Sequence, residues 1–344
     1  MKNRFLIGIL FLVAAAGLIA AYLVFSQPLT TVSGYIGGSK ANFLDDPDVQ
    51  KILRERYQLE VKYTTLGGLE QVCSVNAPYD FLWPGTDLAV QEYKTCHSGT
   101  VINESVLLSP IVMYSWEPVT QALNAHGLIE KKSDGIYYAD MEKFAPRVLD
   151  GKTAWEDLGV NAYGPLSVLT SDPTKSNSGQ MFAAMLGKMR QAQTGADFQD
   201  TFPETRKYLV AIGFKPSSTT ALFKECLAKG AGGCPLFVAY ESLLPDFVGE
   251  NNLKCADLKT LQAIYLVPTI WATHPFIAST PAGEKLLTAL KDSEIQNIAV
   301  EKHGFRSALG TAKPQSCIQI ADAVSAMPIP VKTEMDDLQK FLTQ

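Results

Sequence analysis

Outside its first few residues the chain has no cluster of basic side chains. Its 344 residues carry 30 Lys and Arg against 35 Asp and Glu, a net charge of -5. Proteins hold a phosphate backbone with grouped Lys and Arg, so nucleic acid is excluded as a partner. Histidine is scarce: His97, His126, His274 and His303 lie far apart, and no C-x-x-C occurs. A structural metal is therefore not expected. No G-x-S-x-G is present, S-x-x-K falls at none of the strand-to-helix turns, and no His stands near a candidate Ser in sequence. Without a nucleophile beside a base, the expectation is a protein that is not an enzyme and needs no cofactor. The paired carboxylates Asp45-Asp46 read as helix capping. No internal repeat or low-complexity tract appears. What is there is a globular composition, 47% hydrophobic and 19% charged, at a length that suits two lobes.

The N-terminus reads MKNRFLIGILFLVAAAGLIAAYLVFSQP. Lys2 and Arg4 precede an uncharged stretch over 5–25, which as a helix reaches roughly 30 Å, the thickness of a bilayer core. That length favours a retained membrane anchor over a cleaved signal, whose apolar region is usually shorter. Either way the flanking positive charge places the rest of the chain outside the cytoplasm. No Cys follows the stretch, so a lipid-modified terminus is excluded. Six cysteines remain: Cys73, Cys96, Cys226, Cys234, Cys255 and Cys317. An even number in an exported chain favours disulfides, although spacing alone does not choose among the pairings. Sequential pairing is expected: Cys73–Cys96, Cys226–Cys234 and Cys255–Cys317. The glycines of CLAKGAGGC let the chain double back between the middle two.

After Pro28 strands and helices alternate. VSGYIGGS reads as a buried strand, and DDPDVQKILRERY as a helix with Asp45 or Asp46 at its cap and Val49, Ile52 and Leu53 on one face. LEVKYTTLGG and YDFLWPGTD read as further strands. After residue 116 come EPVTQALNAHGL and YADMEKFAPRVLDG as helices, GPLSVLTSD as a strand, SGQMFAAMLGKMRQ as a helix and PLFVAYESLL as a strand entering a helix. Repeated βαβ units predict a mostly parallel sheet covered by helices, with ligands at the carboxyl ends of the strands. Two long apolar runs, 105–116 and 261–280, bracket the second alternation. Pro268 and Pro275 exclude a second membrane span in the latter. Read as crossovers, the runs divide the chain into a terminal segment 1–28, a first lobe from 29–108 and 269–344, and a second lobe over 109–268. The competing arrangement is one large α/β domain with two long edge strands.

The turn over 170–179, TSDPTKSNSG, joins an apolar strand to a helix with almost nothing apolar in it. Pro173 biases Asp172 away from helical geometry, so the helix starts later, with Ser176 or Asn177 at its cap. The first amides of a helix lack partners and carry the positive end of its dipole. Ser176, Asn177 and Ser178 would offer those amides and their side chains to an anion, Gly179 would let it approach the backbone, and Lys175 would add a charge. Ser39 and Lys40 end the first strand, Gly67-Gly68 the second and Gly85-Thr86 the third. Their shared position at strand ends makes Ser39, Lys40, Gly68 and Thr86 further candidates.

Several segments resemble the bacterial extracytoplasmic solute-binding proteins of the two-crossover, or type II, class, and among them the molybdate, sulfate and phosphate type. They are GYIGGSK, TTLGG, DGKTAWEDLG, TSDPTKSNSG, FVAYESLL and the closing GEKLLTALKDSEIQNIAVEKHGFRS. The resemblance covers nearly everything after residue 30. It implies a two-lobe type II periplasmic binding protein fold, each lobe a sheet flanked by helices, with the crossover strands as hinge. It also implies a small, anionic solute held between the lobes by hydroxyls and amides, with Tyr240 closing the cleft, and delivery to an ABC-type permease or a sensor. The chain departs from the pattern in having no lipobox Cys and no Arg in the binding turns. A second expectation follows from the anchor: a membrane-tethered scaffold or sensor component that uses the same fold for protein contacts.

Overall fold

The computed structural model describes residues 28–344, apart from 69, 76, 100, 259 and 311–313. The candidate anchor over 5–25 lies outside the described residues. Among those described, no helix is long and apolar enough to cross a membrane.

The first strand, β1 (Thr30–Ile36), buries Val32, Gly34 and Ile36 on alternate positions, as a half-buried strand should. Helix α1 (Ala41–Asp45) follows. Asp46 then caps α2 (Pro47–Tyr57), its carboxylate accepting from the Asp48 and Val49 amides at 2.8 and 3.3 Å. Pro47 fills the first turn, and Gln58 ends the helix in the left-handed region at φ 48°. Val49, Ile52 and Leu53 turn inward as the sequence predicts. Strands β2 (Leu59–Thr65), β3 (Phe81–Trp83) and β4 (Ile102–Ser105) complete the first half, with the short α3 (Glu70–Cys73) and α4 (Asp87–Cys96) between them.

The chain then crosses along β5 (Leu107–Trp116). Its first residues pair with β12 (Arg306–Ser307), and residues from Ile111 onward pair with β8 (Leu236–Tyr240) and β9 (Leu261–Val267). It returns through β9, β10 (Trp271–Ala272) and β11 (Pro275–Ala278), with a cis bond before Pro268. The first sheet has the order β2-β1-β3-β11-β4. The second is built on β5, β8, β9 and the small β6 (Glu130–Lys131) and β7 (Tyr137–Asp140). Each sheet has its own apolar core. One is built around Val32, Trp83, Phe276 and Leu290, the other around Met113, Phe182, Phe237 and Ile264.

Three expectations need correction. The sheets are mixed instead of mostly parallel. β1 runs parallel to β2 and β3, but β11 is antiparallel to β3 and β4, and β5 is antiparallel to β8 and β9. A returning crossover strand enters a sheet against the direction of the strands already there, and apolar runs do not record direction. Second, GPLSVLTSD forms no strand of its own, only two isolated bridges, Pro165 to Ala154 and Leu169 to Phe237. The Tyr208 hydroxyl accepts from the Val168 amide at 2.9 Å and donates to its carbonyl at 2.6 Å, taking the place of a neighbouring strand. Third, the C-terminal part of 269–344 is not confined to the first lobe. Ala321, Met335 and Leu338 join the second core. The last two sit on α13 (Lys332–Thr343), an amphipathic helix absent from the sequence expectation.

The three disulfides, Cys73–Cys96, Cys226–Cys234 and Cys255–Cys317, pair sequentially with Cα separations of 5.8, 5.2 and 4.9 Å.

Candidate functional site

Two helices of the second lobe begin at one place. Helix α7 (Asn177–Thr194) follows a turn organised by Asp172. The Asp172 carboxylate accepts from the Thr174 amide at 2.9 Å and hydroxyl at 2.7 Å, while its carbonyl accepts from the Ser176 amide at 2.8 Å. Ser176 is the cap, extended at φ -116°, but its hydroxyl makes no capping bond. Helix α9 (Thr219–Gly233) begins after Ser218, whose hydroxyl accepts from the Ala221 amide at 3.1 Å. Neither α7 nor α9 has an acidic residue in its first turn, unlike α2, α4 and α13. The amides of Asn177, Ser178 and Gly179 have no acceptor among the described residues. The positive end of α7 is thus left uncapped, that of α9 is capped by Ser218 alone, and neither is offset by an acidic side chain in its first turn.

Behind them lies a buried group of hydroxyls. Ser171 Oγ reaches Ser176 Oγ and Ser178 Oγ at 2.9 Å each, and Thr219 Oγ1 lies 3.1 Å from Ser176 Oγ and 2.5 Å from Ser178 Oγ. The Tyr240 phenol joins Thr219 and Ser178, and burial raises its pKa so that it stays neutral.

Across the gap the first lobe presents the turn after β1 (Gly37, Gly38, Ser39, Lys40), the end of β2 (Thr65 to Gly68), Glu70 and Gly85. With Lys175, Ser176, Asn177, Ser217 to Thr220 and Tyr240 they enclose a cleft of about 420 Å³. The lobes touch at its glycines. A Cβ on Gly68 would fall 2.1 Å from Asn177 Nδ2, and one on Gly85 would fall 2.7 Å from it.

Lys40 belongs to the cleft floor and is fully buried. Its Nζ lies 3.2 Å from His274 Nδ1 and 5.8 Å from the centre of the Trp83 ring. No carboxylate among the described residues pairs with it. Burial lowers its pKa to about 7. His274 is also fully buried; burial and the Lys40 charge hold its pKa well below the usual imidazole value.

Of the residues singled out from sequence, Ser39, Lys40, Gly68, Lys175, Ser176, Asn177 and Tyr240 come together on the cleft wall. Lys175 stands exposed at the rim, 4.0 Å from Asp172. Three do not reach the wall. Ser178 is turned into the hydroxyl group, since the first helical turn packs that face inward. Gly179 serves packing, not ligand approach: a Cβ there would meet the Ser171 carbonyl at 2.2 Å. Thr86 is fully buried outside the wall, and its hydroxyl has no partner among the described residues. Sequence reasoning missed Ser217, Ser218, Thr219 and Thr220. The run SSTT before a helical stretch was the available signal, because it is a strong cap pattern. It also missed His274, which nothing local marks. Among the described residues no group of His, Cys, Asp or Glu is placed to hold a metal ion.

No protein-family model and no curated protein sequence matches the chain. Solved structures do. The sulfate-binding protein SubI from Mycobacterium tuberculosis H37Rv is similar with a TM-score of 0.53 at 12% identity, over 81% of this chain and 87% of that one. Iron-bound HitA from Pseudomonas aeruginosa is similar with a TM-score of 0.56 at 11% identity, over 92% and 98%. The apo ferric ion-binding protein A of Pasteurella haemolytica is similar with a TM-score of 0.54 at 12% identity, over 91% and 94%. At such identities the likeness is one of fold. The chain has the α/β type II periplasmic binding protein architecture, two mixed sheets flanked by helices.

Proposed function

We propose that the protein works outside the cytoplasm, binds a small oxyanion in the cleft between its lobes, and presents the closed form to a membrane permease or sensor. The observation that carries this reading is the convergence on one cleft of two helix N-termini with no acidic residue in their first turns, a row of hydroxyls and a lysine without a carboxylate partner among the described residues. Each favourable contact of an anion with a helix terminus contributes ~0.3–1 kcal/mol when exposed and up to ~2 when partly buried. Several together hold an oxyanion without an arginine. The three disulfides support an oxidising, extracytoplasmic setting. SubI is named for sulfate and HitA is named with iron. The wall supports the anion over a ferric ion, since among the described residues Glu70 and Tyr240 are its only carboxylate and phenol, and Tyr240 is engaged by Ser178 and Thr219.

The test is thermal stability of the purified chain against sulfate, phosphate, molybdate and ferric citrate. An anion at a hundred times its dissociation constant should add ~2.7 kcal/mol. Stabilisation by ferric citrate alone would overturn the anion reading. No stabilisation by any of them, with a co-purifying membrane protein, would favour the tethered scaffold.

A further inference from the structure

The Lys40–His274 pair is built unlike a structural lysine. Both side chains are fully buried, and the imidazole Nδ1 at 3.2 Å is the only hydrogen-bond partner of Lys40 Nζ among the described residues. The other imidazole nitrogen, Nε2, has no partner among the described residues. Among the described residues, the groups that face the pair are uncharged. The Trp83 ring lies 5.8 Å from Nζ. The Tyr240 and Phe305 rings meet His274 edge-on at 5.7 and 5.4 Å. The backbone at Gly37 comes so close that a Cβ there would lie 3.0 Å from Nζ. The Tyr240 phenol is engaged with Thr219 and Ser178 and neutral. The remaining charged groups of the cleft wall, Glu70 and Lys175, are exposed at its mouth.

An ammonium removed from water without a counter-ion costs several kcal/mol, and in proteins such a group sheds its proton instead. A neighbouring imidazole cannot relieve this by becoming charged too, since two like charges at hydrogen-bond distance repel. An anion arriving in the cleft above the pair changes the balance, because it supplies the missing opposite charge in a low-dielectric site.

We infer that Lys40 and His274 form a proton site coupled to the anion site: the pair takes up one proton from solvent when an anion enters the cleft and returns it when the anion leaves. This rests on the anion reading above. Burial lowers Lys40 to about 7, so the ligand-free pair is largely unprotonated above neutrality. Binding at alkaline pH then requires protonation first, and affinity falls about tenfold per pH unit. Below neutrality the proton is already in place and the dependence flattens. The protein thus releases its cargo together with a proton.

Two measurements on the described chain test this. Sulfate is the first probe, because it carries no proton of its own between pH 6 and 9. Calorimetric titration in buffers of different ionisation enthalpy should show uptake of about one proton per sulfate at pH 8.5 and little at pH 6, with affinity falling on the alkaline side. In Lys40→Met both the uptake and the pH dependence should vanish. The second measurement needs no ligand: the lysine side-chain carbon resonance of Lys40, assigned by its loss in Lys40→Met, should titrate near neutrality. Titration above pH 9 in the free protein, or sulfate binding without proton uptake, would overturn the coupling and leave the anion reading standing. Failure of sulfate, phosphate and molybdate alike to bind the wild-type chain would overturn the anion reading, and the coupling with it.

Discussion

Lys40 is the residue on which charge and fold conflict most directly. Its pKa in the folded chain, about 7, lies below its ordinary value of 10.5 because burial penalises the charged form. The unfolded chain therefore holds a proton that the folded chain has released between these limits. By linkage, stability rises with pH across that window, by up to ~1.4 kcal/mol per unit. His274 acts in the same sense at lower pH, since burial keeps it neutral where the unfolded imidazole charges. Denaturant midpoints at pH 7 and pH 9.5 should separate clearly in the wild-type chain and converge in Lys40→Met. Parallel curves would show that the ammonium finds its counter-charge elsewhere. Glycines at the site differ from one another in the same physical way. Gly179→Ala pushes a methyl against the backbone carbonyl of Ser171 and should cost about 1–3 kcal/mol, read as a fall in melting temperature. Gly68→Ala meets only the mobile end of the Asn177 side chain, so it should leave the melting temperature nearly unchanged and alter the contact between lobes instead.

At the scale of elements, α13 holds both lobes. Lys332 pairs with Glu92 of α4 at 2.6 Å, and Glu334 pairs with Lys188 of α7 at 2.7 Å. Gln339 donates to the Thr174 carbonyl at 2.9 Å, within the turn that begins the site. Surface ion pairs of this kind contribute ~0–1 kcal/mol each, whereas burying Met335 and Leu338 contributes roughly 1.5–3 kcal/mol apiece. Lys332→Met should therefore change unfolding by less than ~1 kcal/mol. Ending the chain at Val331 should cost several times that, and should widen the molecule measured by X-ray scattering. An unchanged scattering profile after truncation would show that the helix packs on the second lobe without restraining the first.

The molecule as a whole is joined at its hinge by a buried ion pair. Arg306 in β12 donates to Glu241, just beyond β8, through two bonds of 2.7 and 2.8 Å, and Tyr265 also donates to that carboxylate. Glu241 is only 3% exposed. Removing one partner leaves the other charge buried and alone, so Arg306→Met should destabilise by ~3–5 kcal/mol. The double replacement Arg306→Met with Glu241→Leu should recover most of that loss. If the double variant were no more stable than the single one, packing at the hinge would matter more than charge. A second link ties the lobes on the same side: His303 lies 2.7 Å from Asp246 and 3.3 Å from Asp46. Asp46 itself is held below its usual range: burial opposes the charge, but the Asp48 amide, His303 and Lys302 together outweigh it.

The amino-acid sequence alone determined the local pieces. Asp46 and Pro47 start a helix whose apolar face is spelled by Val49, Ile52 and Leu53. The polar turn at 170–179 opens another helix, and the two long apolar runs cross between sheets. Those features follow from capping, periodicity and proline, which act over a few residues. Tertiary structure alone decided strand direction, the docking of α13 on the second core, and the meeting of Lys40 with His274, 234 positions apart in the chain. It also decided that Asn177 rests on Gly68 and Gly85, while Ser178 and Gly179 turn inward. Burial, and the loss of solvent that gives a lysine its charge, exist only once distant segments have packed together.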